Sequence, residues 1–329
     1  MTYARFRITE SSQRGEARRV AAAQAAELGF DEETAGRVAV VVSELAGNLV
    51  KHVRGGGELL LRSVQRNATV SIEVVAVDRG PGINRREAFR DGFSTSGTSG
   101  TGLGAVARLS DAFDMQTSPE HGTAILSRIW RDAPPGDPRV AVGAVCAAVT
   151  GERVSGDACS VADVGQTTRI LVADGLGHGV DAEAAASKAV AVFDADHRSG
   201  VGEVLEAIHR ALRSTRGAAV AIAEIDPDRR TLRYAGIGNI SGSINGRDGT
   251  RNLVSHNGIV GHAIRRIQEF SYELPPNATV VLHSDGLRSR WTLDGYPGLM
   301  RRDPTLVAAV LFRDFERGRD DVTALVART

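Results

Sequence analysis

The sequence is poor in cysteine and lacks long apolar runs. Only Cys146 and Cys159 occur among 329 residues, and their spacing does not match a metal-binding motif. Two cysteines are far too few for the disulfide framework of a small secreted domain, so we expect two buried thiols in a reducing cytoplasm. The longest apolar run, residues 140–149, is too short to span a bilayer.

The sequence also lacks an excess of charge of either sign. Forty basic residues balance forty acidic residues, which gives a formal net charge of zero. Nucleic acids and anionic membranes attract proteins with strongly basic surfaces, so we expect neither as a partner. The first residues, MTYARFR, contain no apolar core of a signal peptide, which again favours a cytoplasmic location.

The length and a proline-rich stretch predict two domains. A chain of 329 residues exceeds what one compact core usually fills, and three prolines fall within residues 131–138. We therefore predict domains at 1–131 and 139–329, joined by a linker at 132–138. In the first, helices precede an antiparallel sheet, which predicts a two-layer α+β sandwich; in the second, many strands and few helices predict a β-sandwich with helices outside.

One predicted helix of the first domain carries a polar pair. Asp31 has the character of an N-cap, and the helix runs to about His52. In the stretch VVSELAGNLVKH, Glu44 and Asn48 are four residues apart and share a face of this helix. A carboxylate and a carboxamide placed in this way can share one ligand, although such pairs also occur on solvated helix edges.

Two glycine-rich turns follow. The apolar strand in VVAVDRGPGI ends at Asp78, and Gly80 and Gly82 flank a proline in a turn that lets a ligand approach the backbone. A carboxylate at this point can accept a hydrogen bond from an amino group such as that of adenine, but a purely structural turn remains an alternative.

The stretch GFSTSGTSGTGLG, residues 92–104, is either a linker or a phosphate-binding loop. Residues 102–107 match a dinucleotide pattern, but they follow a polar loop and not a strand, and no Walker lysine is present. Its backbone amides, together with the start of a helix near residue 103, could instead surround a triphosphate.

The three features, in this order and followed by Gly122 and Thr123, resemble the N, G1, G2 and G3 boxes of the GHKL ATP-binding fold. Within this fold, the chain resembles the RsbT-like and anti-sigma-factor switch kinases in three stretches: SELAGNLVKH, DRGPGI and GTSGTGLGAVARLSDAF. The resemblance implies ATP and Mg²⁺ as cofactors, a general base at Glu44, a Mg²⁺ ligand at Asn48 and an adenine contact at Asp78. It further implies a group of residues that shape the nucleotide site: Gly80, Gly82, Gly100, Gly102, Gly104 and Thr123.

Four acidic sites recur in the second domain near predicted strand ends. They are Asp157, Asp174, Asp285 and the pair Asp320–Asp321. Carboxylates delivered by several strands to one sheet edge suit Mg²⁺ or Mn²⁺, whereas any one Asp-Gly alone is more often a turn.

Three motifs resemble the signatures of the PPM-type serine/threonine phosphatases: DGLGHG at 174–179, SDG at 284–286 and DDVT at 320–323. The RsbX-like sporulation and stress phosphatases are the branch of that family that they resemble most. The resemblance implies two Mn²⁺ or Mg²⁺ ions, with Asp174 as the catalytic bridging ligand. The other implied ligands are Asp157, the Gly175 carbonyl, Asp285 and Asp320, with Asp320 favoured over Asp321. Asn239 replaces a histidine common in relatives, and His178 is either a leaving-group contact or a structural residue.

Together the two resemblances imply a bifunctional cytoplasmic regulator that phosphorylates and dephosphorylates serine or threonine in a bacterial stress-response pathway of the partner-switching type. They imply STAS-domain antagonists or scaffolds as partners, with a sigma-factor pathway component and a homodimer as further expectations. Two alternatives stay open. The first domain could sense ATP without transferring phosphate, or the chain could be an anti-sigma-type binding protein.

Overall fold

The computed structural model describes residues 2–66, 69–84, 102–134 and 136–329. The chain divides into two compact units, one formed by Tyr3–Gly136 and the other by Asp137–Thr329 together with Thr2. This division falls inside the proline-rich stretch 131–138.

The first unit contains a five-stranded antiparallel sheet and helices. Its elements are β1 (Ala4–Ile8), α1 (Ser11–Glu27), α2 (Glu32–His52), β2 (Gly57–Arg66), β3 (Thr69–Val77), α3 (Leu103–Leu109), β4 (Ala112–Ser118) and β5 (Gly122–Trp130). The strand order is β1-β2-β3-β5-β4, and each neighbouring pair is antiparallel.

Helix α2 begins at the predicted residue. The Asp31 carboxylate accepts a hydrogen bond from the backbone nitrogen of Thr34 at 2.7 Å, as an N-cap does. From there Val38, Val41 and Leu45 recur at helical spacing and are fully or almost fully buried. They share one core with buried alanines of α1 and with apolar residues of the sheet. This unit is therefore the predicted two-layer sandwich.

The second unit contains two five-stranded sheets. Its strands are β6 (Ala141–Ala147), β7 (Asp157–Val164), β8 (Thr167–Gly175), β9 (Ala218–Asp226), β10 (Thr231–Ile237), β11 (Ser241–Gly246), β12 (Gly249–Asn252), β13 (Phe270–Glu273), β14 (Thr279–His283) and β15 (Val322–Arg328); its α-helices are α4 (Val180–Ala195), α5 (Val201–Ala211) and α6 (Pro304–Phe315). The strand orders are β13-β10-β9-β8-β7 and β12-β11-β14-β15-β6.

The core of the second unit lies between these sheets. It joins residues of β6, β14 and β15 to residues of β7, β8 and β9. Cys146 and Cys159 belong to this core, and both are buried without a disulfide, as predicted. A second cluster packs α4 and α5 against the β7–β10 sheet. The predicted β-sandwich with outer helices is confirmed.

No helix in the described part of the chain is long and apolar enough to cross a membrane.

Candidate functional site

In the first unit, α2 presents Glu44 and Asn48 four residues apart, and both side chains are half-buried. Gly47 lies between them and is buried. A Cβ at this position would lie 3.5 Å from Nη1 of Arg14, which α1 contributes. Because Glu44 and Asn48 are about one helical turn apart on α2, they share the face that the sequence predicted.

Asp78 follows β3 and joins two turns. Its Oδ1 accepts hydrogen bonds from the backbone nitrogens of Gly80 at 2.7 Å and Thr123 at 3.3 Å. The backbones of Asp78 and Thr123 also pair in both directions, at 2.8 and 3.2 Å. These bonds fix the carboxylate at the end of the sheet, where the sequence predicted a nucleotide contact.

Gly122 permits this close packing. Its φ is +82°, and a Cβ on it would lie 2.2 Å from the Asp78 carbonyl oxygen. Thr123 is buried, and its hydroxyl lies 3.0 Å from that of Thr117. The Thr117 hydroxyl in turn accepts from the Ile83 nitrogen at 2.8 Å, so Gly82, with φ +75°, is held beside the same strands.

The predicted phosphate loop lies mostly outside the described residues, and Gly100 is among the residues not described. Gly102 is the N-cap of α3, and Gly104 is in its first turn. Leu103 and Val106 are buried in the core that α2 also lines, so they fix the start of α3. Among the described residues, no atom would lie within 4 Å of a Cβ on Gly102.

In the second unit, two of the predicted aspartates face each other. Asp157 at the start of β7 is paired with Asp174 near the end of β8 in the antiparallel register. Asp157 is only 2% exposed, whereas Asp174 is half-buried. Gly175 is the buried last residue of β8.

Ser284 connects this pair to the next motif. Its hydroxyl donates to Oδ2 of Asp157 at 2.6 Å and accepts from the Thr323 nitrogen at 2.9 Å. Asp285 follows directly, and its Oδ2 accepts from the Asn239 carboxamide at 2.8 Å. Sequence reasoning assigned no role to Ser284; its only signal was a hydroxyl beside an aspartate at the end of an apolar strand.

The two neighbouring aspartates Asp320 and Asp321 differ in their surroundings. Asp321 is 3% exposed, and its two oxygens accept from the backbone nitrogens of Val149 at 2.7 Å and Gly156 at 2.6 Å. Asp320 is exposed and accepts from the Asp321 nitrogen at 3.0 Å. Asp321 therefore ties three segments together, while Asp320 faces solvent.

Gly286 lets these segments meet. A Cβ on it would lie 1.9 Å from the Asp321 carbonyl oxygen, so no larger residue fits without moving the backbone. The turn after β14 is thereby held against the start of β15, next to Asp285 and Asp320.

The carboxylates affect one another electrostatically. Burial, and then the charges of Asp285, Asp320 and Asp321, raise the pKa of Asp174 to about 7. Burial and the Asp174 charge raise the pKa of Asp157, and partial burial with the charges of Asp285 and Asp321 raises that of Asp320. A set of carboxylates that repel one another in this way favours a bound cation.

The chemistry of these donors fits a hard divalent ion. Among the described residues, no group of three or more histidine, cysteine or acidic side chains is close enough to hold an ion by direct contact alone. Mg²⁺ keeps several of its waters in protein sites, so carboxylates at the edge of such a site can bind it partly through water. His178 is exposed, and its Nδ1 lies 3.1 Å from Oε1 of Glu152.

Comparisons with known proteins identify both units. Residues 165–329 match the family of stage II sporulation protein E, and residues 9–128 match the histidine kinase-like ATPase domain. The serine/threonine-protein kinase RsbT of Bacillus subtilis is 37% identical over 107 residues, which cover 32% of this chain and 80% of RsbT.

Solved structures give the same result for the fold. A chain from a structure described as the bacterial stressosome, a modular system adapted to control secondary messenger signalling, is 28% identical with a TM-score of 0.54; the match covers 57% of this chain and 99% of that one. RsbX, solved in complex with magnesium, is 18% identical with a TM-score of 0.50, over 57% of this chain and 94% of RsbX.

The family matches of the two units confirm the resemblances seen in the sequence. They also confirm the enzyme classes that these resemblances imply, a GHKL-type kinase domain followed by a PPM-type phosphatase domain. The chain belongs to the stage II sporulation protein E family through its second unit, and its first unit is a histidine kinase-like ATPase domain related to RsbT.

Proposed function

We propose that this chain is a bifunctional signalling regulator that phosphorylates and dephosphorylates serine or threonine residues of partner proteins in a partner-switching pathway. The observation that carries the proposal is the convergence of Asp157, Asp174 and Asp285 at one end of the β-sandwich, where the pKa of Asp174 rises to about 7. The relationship of the first unit to RsbT supports the kinase half.

In the phosphatase unit, two Mn²⁺ or Mg²⁺ ions would be held by Asp157, Asp174, Asp285, Asp320 and the Gly175 carbonyl. Such ions supply an activated water nucleophile and neutralise the charge of a phosphate monoester. The chain's own contribution is to position the donors. Ser284 fixes Asp157, and Asn239 orients Asp285, so the carboxylates keep their places before an ion arrives.

In the kinase unit, the fixed carboxylate of Asp78 would accept a hydrogen bond from the adenine amino group in the turn of Gly80, Gly82 and Thr123. The backbone amides of Gly100, Gly102 and Gly104 would surround the phosphates at the start of α3. On α2, Asn48 would offer its oxygen to the Mg²⁺ of ATP, and Glu44 would accept the proton of the serine hydroxyl that attacks. Phosphoryl transfer requires mainly positioning and charge neutralisation, which this arrangement supports.

The partners proposed are STAS-domain antagonists or scaffolds, in a pathway that leads to a sigma factor. The 28% identity to a stressosome structure supports this class of partner. We also propose a cytoplasmic location and pairing of the kinase units as a homodimer.

The test follows phosphate on a partner. The full chain is incubated with candidate STAS proteins and Mg-ATP, then freed of ATP and supplied with Mn²⁺, and phosphoserine is measured by mass. We expect phosphate to appear in the first step and to disappear in the second. Asp174→Asn should remove only the second step, and Asp248→Asn, which changes an exposed aspartate in the β11–β12 turn, should alter neither.

Failure of one step separates the alternatives. ATP binding without transfer to any partner would contradict the kinase and favour an ATP-sensing domain that controls the phosphatase. Loss of both steps, with tight binding of a sigma factor, would favour an anti-sigma-type binding protein.

A further inference from the structure

An exposed cationic surface lies beside the candidate metal centre. We call it the basic edge and define it by Lys188 on α4, Arg210 on α5, Arg213 in the short 3₁₀ helix that follows α5, and Arg216 and His262 in loops; all five are exposed. In the part of the chain that the structure describes, no carboxylate lies within 4.0 Å of Lys188, Arg210 or Arg213, whereas Arg216 pairs with Asp181 at 2.5 Å. The chain as a whole has no net charge, so overall composition does not explain this concentration.

Hydrogen bonds hold the segments of the basic edge together. The Lys188 ammonium donates to the Ser214 hydroxyl at 3.1 Å. His262 donates from Nε2 to the Thr215 carbonyl at 2.9 Å, because a carbonyl only accepts. The edge is therefore a fixed feature of three chain segments.

The positive charges of the edge act on a half-buried neighbour, His209. The Nδ1 of His209 accepts from the Gly261 nitrogen at 2.9 Å, which requires a neutral Nδ1. Partial burial, and then the charges of Arg213, Arg210 and His262, lower the pKa of His209. A basic residue at the end of a helix also stabilises the helix dipole, which accounts for Arg210 but not for Lys188 or Arg216.

The basic edge continues into the loop after Asp174. The Leu176 nitrogen donates to the Gly217 carbonyl at 3.0 Å, which ties the two loops together. A Cβ on Gly177 would lie 3.5 Å from Nη1 of Arg216. The cations therefore begin within a few residues of the carboxylates proposed to hold metal.

We propose that the basic edge binds an acidic segment of the phosphoprotein whose phosphoserine or phosphothreonine enters the metal centre. This inference rests on the proposed phosphatase function and names the chemistry of its substrate. Aspartate and glutamate side chains near the phosphorylated residue would pair with Lys188, Arg210 and Arg213. These arginines and the lysine hold no carboxylate in the described structure, so no internal ion pair must break first.

A short acidic segment fits better than a nucleic acid. The repeated phosphates of a nucleic acid would run from the cations into the negative region of Asp174, Asp285 and Asp320. The residues of the basic edge also include no phenylalanine, tyrosine or tryptophan on which bases could stack. A protein segment needs only one phosphate at the metal centre and can place its carboxylates on the cations.

Binding and hydrolysis are measured with two phosphoserine peptides of the same length, one flanked by aspartate and glutamate and the other by asparagine and glutamine. Fluorescence anisotropy of the labelled peptides on the full chain reports binding without a need for turnover. Because the contacts are exposed ion pairs, we expect the acidic peptide to bind about tenfold more tightly at about 50 mM salt and to lose this advantage near 500 mM.

The test variant is K188Q/R210Q/R213Q, which changes no residue assigned to the metal centre. It should lose the preference for the acidic peptide in binding and in kcat/KM, while hydrolysis of p-nitrophenyl phosphate stays unchanged. The matched control is R229Q/R247Q, because these exposed arginines lie in the β9–β10 and β11–β12 turns. It should behave like the wild-type chain.

Equal affinity of the wild-type chain and the K188Q/R210Q/R213Q variant for the acidic peptide would overturn the proposal. So would a single-stranded oligonucleotide that binds the basic edge more tightly than the acidic peptide. If neither peptide nor p-nitrophenyl phosphate is hydrolysed with Mn²⁺, the proposed function fails; a preference for the acidic peptide that disappears in the variant would still support the docking surface.

Discussion

Asp157 and Asp174 lie directly opposite each other on the antiparallel strands β7 and β8, and burial raises the pKa of both carboxyl groups. The charge of Asp174 raises the pKa of Asp157 further. A buried carboxylate next to a half-buried one opposes folding unless a proton or a cation offsets their charge. The fold supports them through hydrogen bonds from elsewhere in the unit, above all the 2.6 Å bond from Ser284 to Asp157. Such a pair at a strand end lowers the stability of the fold, and a metal-binding role explains why the chain has it.

Ser284→Ala should weaken both stability and metal dependence. The change removes the donor to Asp157 and the acceptor of the Thr323 nitrogen, which leaves two buried polar groups unsatisfied. We expect a loss of about 1–3 kcal/mol in the free energy of unfolding and a rise of about tenfold in the Mn²⁺ concentration needed for half-maximal hydrolysis of p-nitrophenyl phosphate.

The control for Ser284 is Ser160→Ala. Ser160 donates to Oδ1 of Asp194 at 2.6 Å, a bond of the same type and length. This variant should lose stability without a change in Mn²⁺ dependence, as measured by denaturant unfolding and metal titration. An unchanged Mn²⁺ dependence in Ser284→Ala would contradict the positioning role.

Asp320→Ala and Asp321→Ala should have opposite effects. Asp320 is exposed, so its removal should leave the unfolding midpoint nearly unchanged but lower Mn²⁺-dependent hydrolysis by about 100-fold. Asp321 accepts two backbone hydrogen bonds in the interior, so its removal should cost about 2 kcal/mol or more. Thermal unfolding and p-nitrophenyl phosphate hydrolysis measured on both variants check this. Full activity of Asp320→Ala would rule out its role as a metal ligand.

Glu44→Ala and Asn48→Ala should separate transfer from binding in the kinase unit. If Glu44 accepts the serine proton, Glu44→Ala should abolish transfer of labelled phosphate to a partner and leave ATP affinity near the wild-type value. Asn48→Ala should weaken binding of Mg-ATP itself, because the carboxamide oxygen is proposed to meet the ion. Calorimetry with Mg-ATP and a radiolabel transfer assay distinguish the two.

The control for this pair is Glu16→Ala, which removes an exposed carboxylate from α1 and should change neither measurement. Undiminished transfer by Glu44→Ala would show that another group accepts the proton.

The parts of the fold that the sequence predicted are those with local signals. Helix α2 was predictable because Asp31 caps it and Val38, Val41 and Leu45 follow at helical spacing. The strand β12 has no such signal, because all of its residues are exposed and no apolar alternation marks it.

The candidate metal site was also predictable only where the signal is local in the sequence. The aspartates were visible as strand-end motifs, but the partner of Ser284 is 127 positions away, and only the folded chain brings the two together. The different roles of Asp320 and Asp321 likewise depend on Val149 and Gly156, which come from distant loops. Adjacent identical residues carry no local signal that separates them.

A buried ion-pair network in the first unit provides a test by pH. Glu73 is 1% exposed; its Oε1 accepts from Nε of Arg62 at 2.8 Å and from the Tyr3 hydroxyl at 2.5 Å, and its Oε2 accepts from Nε of Arg128 at 2.8 Å. Burial alone would raise the pKa of Glu73, but the charges of Arg62 and Arg128 outweigh it and lower the pKa from 4.5 to about 2.

Because the pKa of Glu73 is lower in the folded state, its charge should stabilise the fold by about 3 kcal/mol above pH 4.5, and this contribution should disappear as the pH falls from 4.5 to about 2. Glu73→Gln resembles the protonated side chain. The wild-type chain should therefore be more stable than the variant at pH 7, and the difference should shrink steadily below pH 4.5. Guanidinium unfolding of both chains at several pH values measures it. A difference that stays constant down to about pH 3 would show that the charge of Glu73 does not stabilise this network.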